Sequence, residues 1–199
     1  MFDAMRIINL LLVVCLMISQ TSCTAILAGL AVTTGAIVTL QDRSVGDTID
    51  DTAILIKINK ELFKIGIFSS VTVKVNEGRV LLLGNVKSLE KRISAEKIAW
   101  QQKDVREVVN EINVEKSGLN LKELAIDSVI STQVKARIVG RKGVKSINYS
   151  VSTINGIVYL MGIAQDKKEL DTVVSAVRKI RGVKQVISYV RFKDSKLRH

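Results

Sequence analysis

The chain has 199 residues, 30 Lys and Arg against 19 Asp and Glu, and a net charge of +11, with two Cys, one His and no Pro. The His is the terminal residue and both Cys lie within the first 23 positions, so the rest of the chain offers no Cys or His cluster for nucleophilic catalysis or transition-metal binding. Strong positive charge without such chemistry points to a protein that binds phosphate, on nucleic acid or on anionic lipid.

The first forty residues obey rules of their own. Residues 7–18 are an apolar run with one polar member, Asn9, preceded by Arg6 and followed by Ser19, Gln20, Thr21, Ser22 and Cys23. A positive start, a short apolar core and a small-residue end describe a secretory signal, too short to span a bilayer comfortably. Asp3 weakens the positive start, an objection that initiation at Met5 removes. Thr21-Ser22-Cys23 resembles a bacterial lipoprotein cleavage site, where a diacylglyceryl thioether forms on the Cys that becomes the new N-terminus, with Gln20 where Leu is usual. The alternatives are an ordinary signal, or an uncleaved anchor in which Cys23 is a small apolar residue. Because Cys15 lies inside the removable core, a mature chain beginning at Cys23 keeps no second thiol for a disulfide.

Residues 24–40, TAILAGLAVTTGAIVTL, are uncharged and small or apolar, and lack the long aliphatic side chains that favour insertion across a bilayer. They either lie along the membrane or pack on the folded part. Without cleavage, residues 7–40 form one long anchor, and under either reading the chain is tethered. The division expected is a signal over 1–22, a lipidated apolar tether over 23–46, a first domain over 47–115, a linker over 116–123, a second domain over 124–193 and a basic tail over 194–199.

The folded part is a duplication. VTVKVNEGRVLLLGNV from Val71 and YSVSTINGIVYLMGIA from Tyr149 share Val73, Gly78, Val80, Leu82 and Gly84 with Val151, Gly156, Val158, Leu160 and Gly162. Each copy predicts a hairpin: an alternating strand, an Asn-Glu-Gly or Asn-Gly turn tolerant of positive φ, and a second alternating strand ending at Gly. Before the hairpins, Ile54, Ile58 and Leu62 and then Ile130, Val134 and Ile138 mark one face of a helix. After them, Ala95, Ile98 and Ala99 and then Val173, Ala176, Val177 and Ile180 mark another. A last alternating strand follows in each copy, Val108 to Val114 and Val186 to Phe192, and the repeat register holds through it, matching Val105, Val108, Ile112 and Val114 to Val183, Val186, Val190 and Phe192. Each unit is therefore α-β-β-α-β, and each of about 70 residues is near the lower limit for a core of its own.

The charge sits on one side of the duplication. Residues 24–117 carry 13 basic and 12 acidic side chains, a balance of +1, whereas residues 118–199 carry 16 and 6, a balance of +10. A surface charged only for solubility would treat both halves alike.

Two α-β-β-α-β units with Gly-x-Val-x-Leu-x-Gly on the central strand resemble BON domains. The tandem behind a lipoprotein cleavage site resembles the dual-BON outer-membrane lipoproteins of Gram-negative bacteria, as does Arg43-Ser44-Val45-Gly46 followed by Asp50-Asp51. That group includes the division and outer-membrane stress-associated lipid-binding proteins. The fold class implied is α+β, two tandem domains each with a three-stranded mixed sheet packed on two helices. The resemblance implies a lipid-anchored protein on the periplasmic face of the outer membrane that binds anionic phospholipid, needs no cofactor and supports envelope integrity. The competing expectation is a scaffold docking on an outer-membrane assembly or a cell-wall or division-site partner, in which charge only speeds encounter.

No catalytic constellation is visible. Asp50-Asp51 are expected to favour a helix N-terminus through the dipole. Gly140-Arg141-Lys142-Gly143 has the G-x-x-G form of a nucleic-acid clamp, but that loop belongs between two helices and here joins a helix to a strand. With a signal that sends the chain away from nucleic acid, the loop reads as a helix C-cap whose Arg141 and Lys142 remain free to meet a lipid phosphate. The first helix of the second domain offers the most informative surface: Val129, Ala136 and Val139 project away from the buried face with Lys135 beside them, the pattern of an interfacial helix. Contact with the first domain is the competing reading of that face. Trp100 lies off the core stripe and corresponds to Arg178 in the second copy, so it is expected at the contact between the domains or, failing that, on the membrane. Cys23 is the expected lipid attachment.

Overall fold

The computed structural model describes residues 45–115 and 120–196. Cys23, the signal and the apolar tether lie outside the described residues. The first domain is α1 (Val45–Lys64), β1 (Val71–Asn76), β2 (Arg79–Val86), α2 (Leu89–Trp100) and β3 (Glu107–Val114). The second repeats it with α3 (Leu121–Ile138), β4 (Tyr149–Ile154), β5 (Ile157–Ala164), α4 (Lys167–Arg178) and β6 (Gln185–Phe192). In both sheets the middle strand pairs antiparallel with the first and parallel with the third. Asn120 caps α3 by accepting from the amides of Lys122 and Glu123, so this helix begins within the stretch expected to be linker.

Each hairpin turns on two residues at positive φ, Glu77 and Gly78 in the first and Asn155 and Gly156 in the second. This is the backbone that two-residue hairpins favour. The glycines at which these strands were expected to end lie inside them, two residues short of Val86 and Ala164, and have a different reason. Gly84 and Gly162 sit at φ of 131° and 139°. A Cβ there would collide with the carbonyl oxygen of Ser70 or Asn148, each the last residue of the short 3-10 turn that leads into the hairpin.

The expected stripes on α1 and α3 are buried, and with the inward residues of the strands they form two separate cores, one per domain. Two expectations are corrected. Asp51 does not serve a helix N-terminus, because α1 begins six residues earlier at Val45. Its buried carboxylate accepts from the amides of Glu77 and Gly78, both at 2.8 Å, and Asp127 accepts from Asn155 and Gly156 at 2.7 and 2.8 Å. The same acid therefore ties the first helix of each domain to the tip of its hairpin. Asp51→Ala or Asp127→Ala strands two turn amides and should cost about 2–3 kcal/mol of stability. Urea unfolding checks this against Asp50→Ala, whose side chain is exposed; an equal midpoint shift from Asp50→Ala would remove the role.

The second correction concerns the central strands, expected to alternate. From Val80 to Leu83 every residue of β2 is buried, and so is Val158 to Met161 of β5. Val80 and Leu82 face the helices of their own domain, whereas Leu81 and Leu83 turn to the other side and meet Tyr159 and Met161. The two sheets thus pack back to back in a four-layer α/β/β/α arrangement. Strands covered on both faces read as continuous apolar runs. Polar contacts rim this interface: Arg79 donates from Nε to Glu107 at 3.1 Å and from Nη1 to the Tyr189 carbonyl at 2.9 Å, Arg191 also reaches Glu107, and the Tyr189 hydroxyl donates to Glu111. Trp100, expected at this contact, is 51% exposed at the end of α2 and takes no part in the apolar cluster that joins the domains.

Candidate functional site

The outer helices of the second domain carry Lys122, Lys135, Arg137, Lys167, Lys168 and Arg178, and Arg141, Lys142, Lys179 and Arg181 follow just beyond their ends. Because Asp127, Ile130, Val134 and Ile138 hold α3 to its sheet, the opposite side of the helix points to solvent. Leu121, Ala125, Val129, Thr132 and Ala136 recur there every three or four residues, all exposed and none charged. Val129 is 55% exposed and Val139 64%. Val139 is no longer helical: it caps α3 with extended backbone, φ −63° and ψ 134°. Gly140 follows at φ 73°, the left-handed residue expected after the helix. Exposed aliphatics on a helix of this kind suit a surface with a wet side and an apolar side.

Lys135, Arg141 and Lys142 are exposed as expected, but they do not share one hollow. Lys135 opens on a crevice between the domains, lined by Lys74, Val75 and Asn76 from the first and by Asn148, Tyr149 and Ser150 from the second. No acid lines it. Burial, and then the nearby Lys135 ammonium, lower the pKa of Lys74. The Oδ1 of Asn76 is buried there without a hydrogen-bond partner. Two ammonium groups crowded without a counter-ion favour an anion between them.

Arg141 instead joins Lys167 and Lys168, at the start of α4, around a shallow hollow that also includes Asp171 and Thr172. A second hollow between the outer helices is lined by Gln133, Ala136, Arg137, Lys179 and Arg181. Ala136, expected on the lipid face, lies at its edge. Sequence reasoning missed Lys74, Arg137, Lys167, Lys168, Lys179 and Arg181. The signal was present: Lys167-Lys168 and Lys179 with Arg181 flank α4 as tight basic groups. What such a surface can do is hold phosphate or other anionic headgroups at several points while the α3 aliphatics meet the apolar layer beneath.

The BON domain profile matches residues 50–116 and again residues 126–194. A protein of Anaplasma centrale described by its place in the gshII 5′ region is 65% identical over 150 residues, covering 75% of this chain and 99% of its own. The outer membrane lipoprotein DolP of Haemophilus influenzae is 30% identical over 173 residues, covering 85% of this chain and 88% of its own. The osmotically-inducible protein Y of Escherichia coli is 29% identical over 148 residues, covering 72% and 73%.

Proposed function

The chain belongs to the BON-domain family, with the domain present twice, and on that premise we propose that it is a membrane-anchored, non-enzymatic envelope protein that binds anionic phospholipid through the outer helices of its second domain. Cys23 carries the lipid, the outer membrane is the membrane, and the periplasmic side holds the folded part. The observation that carries the reading is the asymmetry of charge between two copies of one fold: +1 over residues 24–117 against +10 over residues 118–199. Both copies bury the same stripes, so the excess cations answer to something outside the fold. The names of two relatives, an outer membrane lipoprotein and an osmotically inducible protein, agree with a role in envelope integrity.

Exposed cations act through a field screened over about 8 Å at physiological salt. Residues 41–199 form a compact unit of their own, and flotation of that fragment with vesicles tests the proposal. Adding phosphatidylglycerol to phosphatidylcholine vesicles should raise the bound fraction, and salt should remove the increment. Binding indifferent to anionic lipid would favour the scaffold reading instead.

A further inference from the structure

The first domain uses the same fold to present a different outer face. On α1, Ile49, Ile56 and Phe63 recur every seven residues on the side away from the buried stripe; on α2, Leu89, Ile93 and Trp100, four and then seven residues apart, share the side away from the buried Ala95 and Ala99. All six are between 51% and 73% exposed. Phe68, the first residue of the 3-10 turn that follows α1, sets its ring edge-on to Phe63, with centroids 6.3 Å apart. The helices run antiparallel, as the strand order requires, and the Lys91 ammonium donates to the Ile65 carbonyl where α2 begins. Leu89 therefore lies toward the Phe63 end and Trp100 toward the Ile49 end of a single apolar face.

The second copy shows that the fold does not need these residues. At the matching positions it has Ala125, Thr132 and Val139 for Ile49, Ile56 and Phe63, and Lys167, Asp171 and Arg178 for Leu89, Ile93 and Trp100. Large exposed apolar patches on one repeat alone mark a contact surface. The sheets of the two domains lie between this face and the second domain, so the second domain does not cover it.

The chain itself says what does. The uncharged apolar residues 24–40 end five residues before α1 begins, a reach of no more than about 17 Å even fully extended. On the reading in which residues 24–40 lie along the membrane, the bilayer that holds the anchor is the nearest apolar phase. Lys57, Lys60, Lys64 and Lys97 are exposed beside the stripes, where long basic side chains reach back to headgroups. We propose that the α1 and α2 face of the first domain lies on the bilayer that holds the N-terminal anchor, with Phe63, Phe68 and Trp100 at the boundary between headgroups and acyl chains. The inference rests on the anchoring reading above and is independent of phospholipid binding by the second domain. It turns the basic helices of the second domain away from that bilayer, toward a second anionic surface.

Trp100 is the sole Trp of the chain and sits on the proposed face, which makes it the probe. The full chain, purified in detergent and reconstituted into phosphatidylcholine vesicles, should show Trp100 emission quenched by lipids brominated on their acyl chains and shielded from aqueous acrylamide. Ile56→Glu with Phe63→Glu, both on exposed positions, should abolish the bromolipid quenching while the anchor keeps the chain on the vesicle and the melting temperature holds. Lys135→Glu with Arg141→Glu should leave the quenching unchanged, which separates this proposal from the one above. Trp100 open to acrylamide and unquenched in the wild type would overturn it. So would shielding without bromolipid quenching in a chain that sediments as a dimer, since the seven-residue spacing would then serve a second copy.

Discussion

Cys23→Ser should abolish lipid attachment and leave an unprocessed precursor. The thiolate of Cys23 is the only nucleophile in the segment that ends the apolar core able to form a thioether; a hydroxyl at the same place has neither the acidity nor the polarisability. Metabolic labelling with a fatty acid, followed by a mobility assay for the precursor, reads both effects. Unchanged label in the variant would sink the assignment of Cys23 and leave residues 7–40 as an uncleaved anchor. Loss of the lipid should also weaken retention on vesicles without changing the fold, because the two cores lie wholly within the described residues beyond position 53.

The parts of this molecule that were legible in its sequence are the parts fixed by local period. Helical stripes at Ile54, Ile58 and Leu62 and turns at Gly78 and Gly156 each depend on neighbours a few residues away, and the duplication states each of them twice. The two misreadings depend on contacts far along the chain. Asp51 meets a hairpin 26 residues on, and nothing in its immediate surroundings distinguishes it from the exposed Asp50 beside it. Only its recurrence as Asp127, at the same offset as Ile58 from Val134, marks it. The back-to-back sheets were hidden because the run Val80 to Leu83 was read for the residues that alternate inward, when its continuity was the signal of a second covered face.

Trp100 illustrates the same limit from the other side. Its position off the core stripe was visible, and from that a contact outside its own core was expected. Which partner depended on where the second domain lies, and that is set by Leu81, Leu83, Tyr159 and Met161 on the far face of the sheet. With the other domain behind the sheet, the outer helices of the two domains become two separate surfaces: one apolar and nearly neutral, one strongly basic.

That separation shapes the last expected result. Lys135→Glu with Arg141→Glu should weaken binding of residues 41–199 to anionic vesicles by at least about tenfold, since each cation lost near an anionic surface is worth about 1 kcal/mol and each reversal adds repulsion. Lys135 opens on the crevice with Lys74, and Arg141 on the hollow with Lys167 and Lys168. They share no lining residue, so their effects should add rather than overlap. Reversal at Lys135 has a further local consequence: it removes the ammonium that, after burial, lowers the Lys74 pKa, and places a carboxylate there as an internal counter-ion. The single variant should therefore lose anion binding in the crevice yet gain stability, whereas Arg141→Glu should lose binding with stability unchanged. Val129→Glu supplies the third arm, setting a carboxylate on the apolar stripe of α3 at a position 55% exposed. Flotation across a salt series and thermal unfolding read all three together. Retained binding in every variant, with melting temperatures intact, would move the phospholipid site off the second domain and leave its cations to a protein partner.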